Sequence, residues 1–360
     1  MKNILDINDS INIDYETLLD FINLSTGVFS PLNGFMDSGD FRSMVQGMTL
    51  KDGSVFTVPI IFPISILQSK KLLSASVVKI LYEGKEIGYI EIEDIYETQK
   101  KDFFEIFKTG SMSHPGLKKS LSKPKMCIGG KCVLTDTSLI ARFEMITPQK
   151  TKKIFQENGW ETTIGFHTRN VIHRGHEHLQ RIGLELCDGL FINPLMGWKK
   201  KGDFTEEAIK TAYSIMVKEF YPEGRVYFHG LRVSTRYAGP REAVFTAIIR
   251  RNLGCTHFIM GRDHSGVGEF YDKYDSQKLV QDLQKKHNLG IQILLLSTAY
   301  YCRKCKEMVS ERSCSHKEED ITFISGTEIR EKLMNKITPP EYMMRPEIAG
   351  EIMKLDNIFI

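Results

Sequence analysis

No long apolar run occurs anywhere in the 360 residues. The longest, VFTVPIIFPISIL at 55–67, is too short to span a bilayer and is broken by Pro59 and Pro63. The opening residues, MKNILDINDSINIDY, lack the continuous apolar core of a signal peptide. An excess of one charge is also lacking, since 48 Lys+Arg stand against 45 Asp+Glu, a formal +3. That balance excludes a protein that coats nucleic acid or lipid with one broad basic face. An apolar content of 41% excludes a disordered chain. Seven cysteines, three of them crowded between Cys302 and Cys314, make no disulfide framework. The setting expected is soluble, reducing and cytoplasmic, with neither membrane nor nucleic acid as partner.

The length suggests roughly two to three domains. Up to residue 146 the chain consists of short apolar runs broken by Gly and Pro, such as GSVFTVPIIFPISIL and VVKILYEGKEIGYIEI. This texture predicts a β-rich domain without a catalytic constellation, in which Glu93, Glu97 and His114 lie on the surface. From Thr147 the rhythm changes. Thr147-Pro148 caps a helix running to Asn158, and five apolar runs follow at 162–166, 189–194, 226–230, 257–261 and 291–297. Amphipathic stretches separate them, including 208–220 behind an Asp203/Glu206 capping box, then 240–253 and 276–287. Strand–helix alternation of this kind predicts an α/β fold with a parallel sheet covered on both faces. The expected domains are 1–146, 147–300 and 301–360.

Open parallel sheets bind ligands beyond the carboxyl ends of their strands. The segments leaving those ends carry Arg169 and Arg174; Lys199, Lys200 and Lys201; Arg232, Arg236 and Arg241; and Arg262. Their convergence predicts a polyanionic ligand. His173-Arg174-Gly175-His176 falls where a strand turns into a helix, whose first amides favour phosphate. Two imidazoles on one side of that turn can donate hydrogen bonds to oxygens as charge builds in a transition state. Gly175 is expected to admit a phosphate close to the backbone. A zinc pair is disfavoured because no third ligand follows at a metal-binding spacing.

The His-x-Gly-His element, with ISGTEIR at 324–330, resembles the nucleotidyltransferase superfamily. More specifically, GFHTRNVIHRGHEHLQ, YAGPREAVFTAIIRRNLGCTHFIMGRDHSGVGEFY and ISGTEIREKL…PPEYMMRPE are similar to signatures of the ATP sulfurylase (sulfate adenylyltransferase) family. STGVFSPLNGFM and SHPGLKK extend the resemblance into the N-terminal half. It implies a Rossmann-like nucleotidyltransferase domain preceded by a PUA-like domain. It also implies in-line attack of sulfate on the α-phosphorus of MgATP, giving adenosine 5′-phosphosulfate and pyrophosphate. His167, Thr168, Arg169 and Asn170 stand at the family's Gln-Thr-Arg-Asn element, and His173 and His176 at its transition-state histidines. Gly261, Arg262, Asp263, His264 and Ser265 stand at its Gly-Arg-Asp-His-Ala element. The resemblance therefore gives Thr168, Arg169, Asn170, His173 and His176 catalytic roles. ATP falls to His167, Arg169, Asn170, His173, His176, Gly261, Arg262, Asp263 and His264, and sulfate to His167, Arg169 and Ser265. His167 replaces Gln and Ser265 replaces Ala, both in the expected sulfate pocket. The resemblance further implies a homo-oligomer, expected as a dimer. No GxxxxGK[ST] sequence is present, so the adenylylsulfate kinase fused to some relatives is not expected.

One further constellation is Cys302-x2-Cys305-x8-Cys314-x-His316. Four soft ligands at this spacing suit a tetrahedral zinc with no open position, hence a structural metal in a small C-terminal region. Trp160 and Trp198 are expected to pack, and Cys127, Cys132, Cys187 and Cys255 to be buried thiols. Two other readings remain. One is a sibling adenylyltransferase acting on another oxyanion or a small phosphorylated acceptor. The other is a catalytically idle relative that binds through its N-terminal domain.

Overall fold

A computed structural model of the chain describes residues 9–197, 202–262 and 264–360. Trp198, Lys199, Lys200, Lys201 and Asp263 lie outside the described residues. Two compact units emerge, and the chain passes between them more than once. Unit 1 takes residues 1–151, 232–253 and 263–290; unit 2 takes 152–231, 254–262 and 291–360.

The sheet of unit 1 is built from β1 (Ser10–Asn12), β2 (Gly34–Phe35), β3 (Phe62–Ile64), β4 (Val77–Tyr82), β5 (Lys85–Glu97) and β6 (Met126–Leu134). Its order is β1-β4-β5-β6-β2, with β3 also on β6, and only β1–β4 is a parallel pair. Helices α1 (Tyr15–Ser25), α2 (Ser38–Gly47), α3 (Ile66–Leu72), α4 (Lys100–Phe107), α5 (Pro115–Leu121) and α6 (Ser138–Arg142) connect the strands. At the β2–β6 crossing a Cβ on Gly34 would meet the Gly130 carbonyl oxygen at 1.9 Å, so only glycine lets the strands approach. Glu93 and Glu97 are exposed, but His114 is fully buried. It precedes Pro115 and caps α5, its Nδ1 accepting the Leu117 amide at 3.2 Å. Its Nε2 lies 3.1 Å from the Tyr271 hydroxyl, so the expected surface residue is a core residue with both nitrogens engaged.

Helix α7 (Pro148–Glu157) leads into unit 2. The five runs become β7 (Thr163–Phe166), β8 (Gly189–Ile192), β9 (Val226–Phe228), β10 (His257–Met260) and β11 (Gln292–Leu295). Every neighbouring pair is parallel, in the order β11-β10-β7-β8-β9. Helices α8 (Arg174–Leu186) and α9 (Glu206–Ile215) belong to the same unit. Thr205 caps α9, accepting the Ala208 amide, in place of the expected Asp203, which is buried and whose carbonyl accepts the Ile360 amide. The core joins Ile164, Leu190, Ile192 and Ile259 of the sheet to Ala212 and Tyr213 of α9. Met343, Met344, Ile348 and Ile352 complete it. Trp160 packs as expected, stacked on Phe155 with its Nε1 donating to the Gly224 carbonyl.

Helices α10 (Pro240–Asn252) and α11 (Asp275–Lys286) lie within unit 1. Ten of the thirteen residues of α10 are buried, so it has no polar face to turn outward. Phe245 meets Phe29 and Phe56 at ring distances of 5.1 and 5.4 Å, and Asn252 donates to the Val28 and Ser30 carbonyls. The last elements are β12 (Tyr300–Cys302), β13 (Glu307–Val309), β14 (Ile321–Phe323), α12 (Gly326–Met334) and α13 (Pro346–Met353). Among the described residues no helix is long and apolar enough to cross a membrane.

Candidate active site

At the carboxyl end of β7 the chain turns through His167–Asn170 before α8. The buried Thr168 shapes this turn, its Oγ1 accepting the Asn170 amide at 3.1 Å. The Asn170 Oδ1 accepts from Arg330 of α12 at 2.6 Å. His173 is the N-cap of α8, with its Nδ1 accepting the His176 amide at 3.3 Å. An accepting Nδ1 leaves the proton on Nε2, so the ring turns a donor away from the helix. The two imidazoles stack, centroids 3.7 Å apart. Gly175 makes that possible: a Cβ there would press on the His173 ring at 3.1 Å. The glycine thus leaves room for this ring.

Burial, aided by the positive charge of Arg330, pushes the His173 pKa down to about 4. Burial and then the neighbouring His173 drive that of His176 well below its ordinary range. Both rings are therefore neutral donors near pH 7, not standing cations. Arg330 is itself pushed below the usual guanidinium range by burial and by the charge of Arg169. Its Nε is buried without a hydrogen-bond partner.

The arginines expected to converge sort into two groups. Arg174 is committed to the buried carboxylate of Glu177, at 2.7 Å, which Arg181 and Arg345 share at 2.8 and 2.7 Å. Arg232 pairs with Glu144 at 3.0 Å and Arg236 with Asp20 at 2.5 Å. Arg241 is buried and donates to the Met44 and Val45 carbonyls at 3.0 and 2.9 Å. These four serve the fold, which corrects their expected place in the anion-binding edge. Arg169 and Arg262 differ: both are part-exposed, and among the described residues neither has an ion pair or side-chain hydrogen bond.

β10 runs directly into Gly261 and Arg262, and the boundary between units falls at the next residue. In unit 1, His264 Nε2 lies 3.2 Å from Thr246 Oγ1 of α10, and its carbonyl accepts from Ser276 at 2.7 Å. Burial and the charge of Arg250 push the His264 pKa down to about 3. Ser265 follows with φ of 60°, a left-handed conformation that costs a non-glycine residue on the order of 1 kcal/mol or more. Thus unit 2 gathers His167, Thr168, Arg169, Asn170, His173, His176, Gly261 and Arg262, while His264 and Ser265 belong to unit 1. Sequence reasoning left Arg330 without a role. The signal was its place in ISGTEIR, one helical turn beyond the N-cap Ser325.

Cys302, Cys305, Cys314 and His316 come together with ligand atoms all within 4.8 Å of one another. The Cys305 and Cys314 sulfurs are 3.8 Å apart, and His316 Nδ1 lies 3.3, 3.3 and 3.4 Å from the three sulfurs. Amides of Cys305 and His316 donate to Cys302 and Cys314 Sγ at 3.4 Å each. This is a candidate metal-binding cluster.

A model of the ATP-sulfurylase family matches residues 144–355, and a model of the PUA-like domain matches 4–137. The sulfate adenylyltransferase of Staphylothermus marinus is 39% identical over 353 residues, 98% of this chain and 92% of that protein. That of Hyperthermus butylicus is 41% identical over 344 residues, 95% of this chain and 87% of that protein. A solved structure described as a hexameric APS kinase from Thiobacillus denitrificans matches 98% of this chain with a TM-score of 0.70. At 18% identity that likeness concerns the fold alone, and this chain spans 64% of that one. The molecule is therefore an enzyme with a parallel-sheet, nucleotidyltransferase-like core and a PUA-like N-terminal domain. Within that class the chain belongs to the ATP-sulfurylase family.

Proposed function

We propose that this enzyme is a sulfate adenylyltransferase, converting ATP and sulfate reversibly to adenosine 5′-phosphosulfate and pyrophosphate. The observation that carries the reading is the contrast among arginines. Among the described residues Arg169 and Arg262 have no ion pair and the Nε of Arg330 has no hydrogen-bond partner, whereas Arg174, Arg232 and Arg236 are paired with carboxylates and Arg241 with backbone carbonyls. Guanidiniums without a carboxylate partner, such as Arg169 and Arg262 at the end of a parallel sheet, favour a polyanion, and bidentate geometry suits phosphate and sulfate oxygens.

In this reading sulfate attacks the α-phosphorus in line and needs no base, because it is already ionised. Catalysis then consists of positioning two repelling anions and meeting charge as it develops. Arg169, with Thr168 and Asn170 shaping its turn, positions both substrates; Gly261, Arg262, Asp263 and His264 hold the nucleotide. His173 offers its Nε2–H to the α-phosphate or bridging oxygen, and His176 supports it. His167 and Ser265 contact sulfate. Magnesium accompanies ATP, held chiefly by the phosphates, and neutralises part of their charge.

The Cys3His cluster fits zinc. Two sulfurs at about 2.3 Å from a tetrahedral ion lie about 3.8 Å apart, and the Cys305–Cys314 separation is 3.8 Å. All four positions are then filled by protein, so the metal is structural and takes no part in the reaction. The compartment is the cytoplasm. A homo-oligomer accords with the solved relative described as hexameric.

Pyrophosphate release from ATP with a panel of oxyanions tests the reading. Sulfate-dependent release supports it. Release only with another acceptor supports the sibling adenylyltransferase, which the substitutions His167 and Ser265 favour; no release with any acceptor overturns both.

A further inference from the structure

The three sulfurs of the Cys3His cluster differ in what can reach them. Cys302 ends β12, is fully buried, and its Sγ accepts the Cys305 amide at 3.4 Å. Cys305 lies in the turn between β12 and β13 and is exposed. Cys314 lies between β13 and β14 and is half-buried. The Cys305 and Cys314 sulfurs are 3.8 Å apart, against about 2.05 Å in a disulfide, so a modest side-chain movement joins them. Cys127, Cys132, Cys187 and Cys255 are all buried, which leaves Cys305 as the exposed cysteine among the described residues.

Oxidation of a cysteine follows its thiolate character and its exposure, and proceeds to a disulfide when a second sulfur stands close. Binding to a metal deprotonates a sulfur ligand outright. Cys305 therefore combines thiolate character with access, and Cys314 is placed to resolve the oxidised sulfur.

We propose that Cys305 and Cys314 form a peroxide-sensitive switch, in which their oxidation to a disulfide releases the metal and lowers turnover. The inference rests on the zinc reading above. The Cys305 thiolate attacks one oxygen of hydrogen peroxide; an S–O bond forms, the O–O bond breaks, and hydroxide leaves with the electron pair. The Cys314 thiolate then attacks this sulfenic sulfur, forming the S–S bond and expelling a second hydroxide. Two protons from solvent turn both hydroxides into water. The sulfurs together lose two electrons and the peroxide gains them. Cys302 and His316 remain as two ligands where a structural zinc takes four. The effect reaches the adenylyl-transfer site through its neighbours. β13 packs against α8, which His173 caps. Ser325, two residues past β14, caps α12, whose Arg330 donates to Asn170.

Peroxide titration of the zinc-loaded, full-length protein tests the switch. Zinc release is read with a colorimetric chelator, disulfide position by peptide mass spectrometry, and turnover by sulfate-dependent pyrophosphate release. Loss of one zinc per chain should accompany a peptide pair joined through Cys305 and Cys314. Turnover should fall by about tenfold or more, as small misplacements of positioning groups do. No cysteine belongs to the adenylyl-transfer site proposed above, so the fall reports the released metal. Dithiothreitol with zinc should reverse all three changes, which oxidised methionine would not allow. A disulfide through Cys302, or turnover unchanged after release, would overturn the inference. Zinc-loaded protein that keeps its metal under peroxide would overturn the switch alone, whereas protein isolated without zinc would overturn the metal reading and the switch together.

Discussion

The imidazole of His173 accepts the backbone N–H of His176, and the same two residues stack ring on ring. One side chain thus caps a helix with one nitrogen and presents a donor with the other.

These two duties can be separated. His173→Ala should lower turnover far more than ATP affinity, and should also cost about 1 kcal/mol of stability through the lost cap. His173→Asn should restore most of that stability, since Asn is a good cap, yet leave turnover down by about a hundredfold or more. Steady-state kinetics and thermal melts on both variants decide it. Near-normal turnover in the Asn variant would remove His173 from the mechanism.

Stability should fall on mild acidification. Burial holds His173 down to about 4 and His264 down to about 3, whereas an unfolded histidine titrates near 6.5. Between those values the unfolded chain binds more protons than the folded one, so stability is lost as pH drops from about 6.5 toward 4. His114 and His178 shift in the same direction. Scanning calorimetry should show a declining Tm across this window, with a shallower decline in His264→Asn. An unchanged slope in that variant would mean His264 is not buried in its neutral form.

Metal should be present and local in its effect. Protein purified without chelator should contain one zinc per chain, and Cys314→Ser should lose it. The apolar cluster beside the ligands has only Tyr300, Cys302 and Val309 as buried members, too few to hold β12–β14 unaided. Hydrogen exchange should therefore rise across 300–323 in the metal-free protein while β7, β8 and β10 stay protected. Elemental analysis without zinc would refute the assignment.

Glu177 should be intolerant of truncation. Although burial acts to raise its pKa, hydrogen bonds from Arg345 and Arg181 and the charge of Arg174 hold it below the ordinary range. Glu177→Ala leaves three guanidiniums around an empty site and should cost about 3–5 kcal/mol in denaturant unfolding. A loss under 1 kcal/mol would show that the network contributes little.

Local patterns carried much of the architecture. The five parallel strands were legible because buried strands read as short apolar runs, and the Cys3His cluster because its ligands lie within fifteen residues of one another. The fate of Arg236 and Arg241 was not legible, since Asp20, Met44 and Val45 lie about two hundred residues away. Helix α10 shows why its unit was hidden: a helix buried on all sides has no stripe to say which neighbour it faces. His114 escaped because a lone histidine reads as a surface residue, whereas its buried ring caps α5. Among the site residues, His173 and His176 were visible as a motif, but the tautomer depends on a hydrogen bond that spacing alone does not specify.

The interleaving of the two units has a consequence for synthesis. Unit 1 takes in residues up to 290, and the core of unit 2 includes residues up to Ile352. A ribosome-bound chain of 150 residues therefore lacks α10 and the ring of Phe245 that Phe29 and Phe56 pack against. Neither unit can finish folding as an early independent piece. Nascent chains must wait with apolar surface uncovered until well over three-quarters of the sequence has emerged.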